Sequence, residues 1–87
     1  MSMDLSWDKD AWNDYIYWQQ TDKAVLRRIN ELIEECLRTP FEGKGKPEPL
    51  KENLSGFWSR RITDEHRLVY RVESTRLHII QCRFHYQ

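Results

Sequence analysis

The chain has 87 residues, 39% hydrophobic and 32% charged, with 14 basic and 14 acidic side chains that cancel at neutral pH. A mean hydropathy of −0.85 and no apolar run near the ~20 residues of a membrane span exclude a transmembrane helix. Cys36 and Cys82 are isolated, far from any CxxC spacing, which argues against a disulfide framework and fits a reducing cytoplasm.

The length predicts one domain, residues 1–87, with a single core. A chain this short hides only about 60–65% of its unfolded surface, so each of its 11 aromatic side chains matters to that core. The start, "MSMDLSWDKD", has no basic segment, apolar stretch or small-residue cleavage site and does not read as a signal peptide. Charge is segregated. Residues 1–42 carry five basic against nine acidic side chains, and residues 43–87 carry nine against five. A mixed solvated surface is the ordinary reading of such a chain, and an asymmetry between halves is also a recognised hint of a polyanionic partner.

Along the chain, "MDLSW" alternates Met3, Leu5 and Trp7 on one side, a short strand. Ser6 and Asp8 offer capping oxygens for a first helix, in which Trp12, Tyr15, Ile16 and Gln19 form the apolar face. Thr21 and Asp22 interrupt it and can cap a second helix. Its stripe of Val25, Ile29, Leu32, Ile33, Cys36 and Leu37 is the clearest periodicity present. That helix stops before Pro40, because the residue preceding a proline is pushed out of helical geometry. Residues 41–49, with two glycines and two prolines, predict a loop.

Beyond the loop the period changes to two. "GFWSRRIT" sets Trp58, Arg60 and Ile62 against Phe57, Ser59, Arg61 and Thr63. "RLVYRV" sets Leu68, Tyr70 and Val72 inward, and "LHIIQCRFHY" sets Ile80, Cys82 and Phe84 against Ile79, Gln81 and His85. Short turns at "DEH" and "ST" make these an antiparallel meander. The predicted class is α+β: two N-terminal helices packed on one face of a mainly antiparallel, twisted sheet. The expected core contains Trp12, Ile16, Ile29, Leu32, Ile33, Leu68, Tyr70, Ile80 and Phe84. The opposite face is expected to be basic, with Arg67, Arg71, Arg83 and His85, and Arg61 beside them.

His66, His78 and His85 lack metal-ligand spacing, so neither a metal nor any other cofactor is expected. "GKG" lies in a loop without phosphate-cradle spacing, and neither cysteine has a basic partner in view. What remains is Glu48, Arg67, His85 and Tyr86. Each has an ordinary reading on its own: a loop charge, a turn ion pair, a surface histidine and an edge aromatic. Together they hold the groups for cleaving RNA through its own 2′-hydroxyl: a base, a cation for the extra phosphorane charge, and an acid for the leaving 5′-oxygen.

The segment "TPFEGKGKPEPLKENLSGFWSRRITDEHRLVYRV", with "SW", "DY", "YWQ" and "TD" between residues 6 and 22, "INELI" at 29–33 and the terminal "CR" and "HY" between 82 and 86, resembles the YoeB/Txe toxins of the RelE superfamily. The resemblance covers essentially the whole chain. It implies a microbial-RNase-like, RelE-type fold and a type II toxin that cleaves messenger RNA in the ribosomal 30S A site. It also implies a YefM-type antitoxin, room for a homodimer, contact with operator DNA only through the antitoxin complex, and a cytoplasmic location. Position by position, Glu48 resembles the family's general base, His85 its general acid, Arg67 its transition-state arginine and Tyr86 its terminal tyrosine. Lys51 and Arg61 match basic positions lining the site, and Lys44 and Lys46 match the basic loop. Two departures are Gln87 after the His-Tyr pair and the net charge of zero. The alternative is a non-catalytic or gyrase-directed toxin of the same fold, acting through protein binding; such a relative is not expected to keep all four site residues.

Overall fold

The computed structural model describes residues 3–85. The element order is β1 (Asp4–Trp7), α1 (Lys9–Thr21), α2 (Lys23–Arg38), β2 (Glu48–Pro49), a 3₁₀ turn (Glu52–Leu54), β3 (Trp58–Arg61), β4 (Arg67–Glu73) and β5 (Arg76–Gln81). The strands form one sheet in the order β1-β5-β4-β3-β2. Only β1 is parallel to its neighbour, and the other pairs are antiparallel. Both helices cover one face, giving the expected α+β layering. No helix among the described residues is long and apolar enough to cross a membrane.

The Asp22 carboxylate separates the helices. Its Oδ1 accepts from the backbone N–H groups of Ala24 and Val25, both at 3.1 Å, satisfying two donors that a helix start leaves orphaned. The α2 stripe buries Val25, Ile29, Leu32, Ile33 and Cys36 against Leu68, Tyr70, Leu77 and Ile79 of the sheet. The opening of α1 differs from expectation. Neither Ser6 nor Asp8 caps the helix: the Ser6 hydroxyl meets Nδ1 of His78 at 2.6 Å, and the Asp8 carboxylate meets its Nε2 at 2.8 Å.

Three further expectations are corrected. Helix α1 buries Ala11 and Trp18, with Tyr15 half-buried between them. Trp12 is 41% exposed, stacking outside on Tyr15 and meeting Trp7 edge-on. Small Ala11 lets the helix lie close to the sheet, so the methyl, not the larger indole, faces the core. On β5 the inward side changes at a bulge. Tyr70 pairs with Ile79 and Val69 pairs with Gln81, so Ile80 is the extra residue. Leu77 and Ile79 point inward before it and Cys82 after it. Ile80 is therefore only half-buried, whereas Phe84, beyond the end of β5 and left-handed at a φ of 63°, is 57% exposed. A bulge shifts the period-two alternation by one, which strict alternation cannot foresee. The segment expected to be all loop also contains β2, whose Glu48 and Pro49 pair with Ser59 and Trp58.

Candidate functional site

The face away from the helices is organised in rows by the strand register. Glu48, Ser59, Val69 and Gln81 are successive cross-strand partners on β2, β3, β4 and β5. Partners across a sheet share a face, so these four side chains lie on one side. The paired Arg61 and Arg67, two residues along their strands, lie on that side too. With neighbouring strands about 4.8 Å apart, the Glu48 backbone is roughly 10 Å across the sheet from β4. Ser59 and Val69, at 1% and 2% exposure, form the closed floor between them.

Arg67 is buried at 8% exposure. Its Nη1 donates to the carbonyls of Thr63, Asp64 and His66 at 2.7, 3.1 and 3.1 Å. This anchoring engages one of the three guanidinium nitrogens and fixes the plane of the group. His85 is exposed, and its Nε2–H reaches the same Asp64 carbonyl at 3.2 Å. One turn carbonyl thus brings Arg67 and His85 together.

The tail that carries His85 is held by hydrogen bonds. Phe84 gives its carbonyl to the Arg67 N–H at 3.0 Å and its N–H to Nδ1 of His66 at 2.8 Å. The His66 ring therefore carries its proton on Nε2, and it lies edge-on to Trp18 with ring centroids 4.8 Å apart. Trp18 Nε1–H donates to the Cys82 carbonyl at 2.9 Å, and the Asp14 carboxylate accepts the Cys82 N–H at 3.2 Å. Phe84 has a φ of 63°, left-handed for a side chain with a Cβ, at a cost of about 1–2 kcal/mol. Such strain persists only where surrounding contacts impose it. Burial pushes the Cys82 thiol up to about 12 and also raises the Asp14 carboxyl above the usual carboxylate range, against the opposing pull of the Cys82 N–H and Arg83.

The other expected site residues are dispersed. Lys51 lies with Glu48 along a shallow cleft of about 410 Å³. Arg61 is exposed beside Arg67, its N–H donating to the Gly45 carbonyl at 2.7 Å. Lys46 is exposed in the loop. Lys44 turns toward α2, its ammonium 3.6 Å from Glu31. Tyr86 lies outside the described residues. Of the expected basic face, Arg83 is displaced: its guanidinium stacks on Tyr17 of α1, 3.6 Å from the ring centroid, and also on Phe84. Arg71 is paired with Glu73 over the Phe57 ring.

Sequence reasoning missed Arg60, which is fully buried at 0% exposure. Its nitrogens hold the carbonyls of Thr39 at 2.5 Å, Glu42 at 2.9 Å and Lys44 at 3.0 Å. They also reach the Glu35 carboxylate and the Tyr70 hydroxyl. The Lys44 N–H and Arg60 together pull the Glu35 carboxyl below its ordinary range. Arg60 thereby pins the loop that leads into Glu48. The signal was present: the strand alternation puts Arg60 inward between Trp58 and Ile62, and an inward arginine needs buried acceptors.

The family model for the YoeB-like toxin of bacterial type II toxin–antitoxin systems matches residues 7–86. Toxin YoeB of Escherichia coli strain K12 is 66% identical over 84 residues, covering 97% of this chain and 100% of its own. A YoeB dimer from Staphylococcus aureus superposes with a TM-score of 0.91 at 45% identity, over 99% of this chain and 100% of its own. A YoeB–YefM complex from the same organism gives 0.89 at 44% identity, with the same coverage. A match over nearly the whole length, in sequence and in fold, means that the chain belongs to the YoeB-like toxin family of bacterial type II toxin–antitoxin systems.

Proposed function

We propose that this toxin is a ribosome-dependent endoribonuclease that cleaves messenger RNA in the A site by metal-free acid–base catalysis in the cytoplasm. The observation that carries the proposal is the meeting of Arg67 and His85 at the Asp64 carbonyl, on the sheet face that also presents Glu48. Glu48 removes the 2′-hydroxyl proton, and the 2′-oxygen attacks the adjacent phosphorus. Arg67, fixed by three carbonyls, meets the charge that builds on the phosphoryl oxygens without reorganising. His85 gives its proton to the departing 5′-oxygen, leaving a 2′,3′-cyclic phosphate and a 5′-hydroxyl. Tyr86 would pack against the substrate, with Lys46, Lys51 and Arg61 holding neighbouring phosphates and Lys44 doing so after leaving Glu31.

An antitoxin of the YefM type fits as the partner that covers this face, since a related toxin forms such a complex. Self-association is supported in the same way by the related dimer. The test is single-turnover cleavage on programmed ribosomes. His85→Gln is expected to lower the rate on the order of 10²–10⁴-fold, the usual range for losing a general acid, with stability within about 0.5 kcal/mol. Near-normal cleavage by the folded variant would overturn the assignment. Cleavage absent from the unaltered toxin as well would favour a toxin acting through protein binding alone.

A further inference from the structure

We infer that Gln81 is the positioning residue for His85: its side-chain amide gathers the tail into an arc that holds the imidazole at the Asp64 carbonyl. Gln81 Nε2 lies 2.8 Å from the carbonyl of Arg83, 3.2 Å from that of Phe84 and 2.8 Å from that of His85. One amide nitrogen has two hydrogens, so two bonds are direct and the longer one is shared. Three consecutive carbonyls converge on one donor only if the backbone curls, and the left-handed φ of 63° at Phe84 supplies that curl.

The bulge at Ile80 makes this possible. Leu77 and Ile79 point to the core, so regular alternation would turn Gln81 to the core as well. The extra residue turns Gln81 outward, into the row with Glu48, Ser59 and Val69, and leaves Cys82 to face inward. Bulges next to functional sites re-aim side chains in this way. The Arg67 N–H to Phe84 carbonyl bond and the His66 bond to the Phe84 N–H hold one point of the arc. The Gln81 amide reaches the His85 carbonyl itself. An acid displaced by about 1 Å loses on the order of 10²-fold in rate, so the curl of the tail that carries His85 matters.

The role of the clasp in catalysis rests on His85 acting as proposed above, whereas the clasp itself does not. The experiment uses the full chain and two readouts. Gln81→Met keeps the volume and removes the donors; Gln81→Asn keeps the amide and shortens its reach by one methylene. By amide hydrogen exchange, Phe84 and Arg67 should exchange about 10-fold faster or more in both variants, because opening of the arc exposes both amides. On ribosomes, the single-turnover rate at saturation should fall about 10–100-fold with ribosome affinity unchanged, and adding Gln81→Met to His85→Gln should cost nothing further. Native-like protection in both variants would overturn the clasp. Released amides with normal cleavage, where His85→Gln is inactive, would overturn the positioning role. Normal cleavage by His85→Gln would instead overturn the catalytic reading, and exchange would still decide the clasp.

Discussion

Replacing Arg60 by methionine removes the guanidinium while keeping most of the stem's volume in the core. Three backbone carbonyls, at Thr39, Glu42 and Lys44, lose a charged donor at 2.5–3.0 Å. Each hydrogen bond to a charged group is worth about 1.5–3 kcal/mol, but the contributions do not simply add. The loop carbonyls regain water once the loop loosens, which lowers the total. The Glu35 carboxylate lies partly open to solvent and is left out of the sum. The expected loss is about 3–5 kcal/mol, the range for removing one member of a buried charged network. For a domain of this size that lowers Tm by on the order of 15–30 °C. Urea and thermal unfolding followed by circular dichroism measure it, with Arg60→Lys as control. Lysine keeps the charge but its single nitrogen cannot reach both groups of carbonyls, so it should recover less than half of the loss. If Arg60→Met lies within about 1 kcal/mol of the unaltered chain, the loop is not held by this network and the reasoning is wrong.

Phe84→Ala should cost less than about 1 kcal/mol in urea unfolding, not the 3–5 kcal/mol of a buried aromatic, because the ring is more than half exposed. The raised Asp14 carboxyl means that the folded state holds its proton more tightly than the unfolded chain does. Its contribution is present below the unfolded value and is lost as pH rises through the folded one. Asp14→Asn should therefore gain stability relative to the unaltered chain between pH 3 and pH 7, measured by urea midpoints at both; a constant difference would contradict the shift. Cys36 and Cys82, both fully buried with thiols raised by burial, should resist alkylation at pH 8 until the chain is unfolded, as mass spectrometry would show.

The second helix was fully legible because a stripe from Val25 to Cys36 enters one core on one side of the helix, and periodicity reports that directly. The first helix was legible in extent but not in orientation, since Ala11 wins the inward position by being small, a matter of approach distance that hydropathy does not encode. The bulge at Ile80 had no local signature: before it Leu77 and Ile79 face inward, opposite to the expected phase, beyond it Cys82 faces inward as expected, and Phe84 leaves the core past the end of β5, where its backbone is left-handed. For the site, residue types pointed to Glu48, Arg67 and His85 without indicating their spacing. What joins Arg67 to His85 is a main-chain carbonyl, and main-chain atoms are identical in every sequence. The supporting residues Arg60 and His66 were overlooked because each is defined by sequence-distant acceptors or donors, and Gln81 because its near acceptors converge only through the curl of the tail.

The parallel pairing of β1 with β5 joins residues 72 positions apart, from Asp4 with Arg76 to Trp7 with Ile79. The helical hairpin and the β3-β4-β5 meander close through short connections. Chain-closure entropy makes the distant pair the slow contact in folding, so β1 should dock after the meander has formed. In the strand order β1 is the edge farthest from β2, which bears Glu48. Substitutions along β1 should then speed unfolding with little effect on folding rate or on the arrangement of Glu48, Arg67 and His85. In this chain the lifetime of the native state can be altered at one edge of the sheet while Glu48 stays at the other.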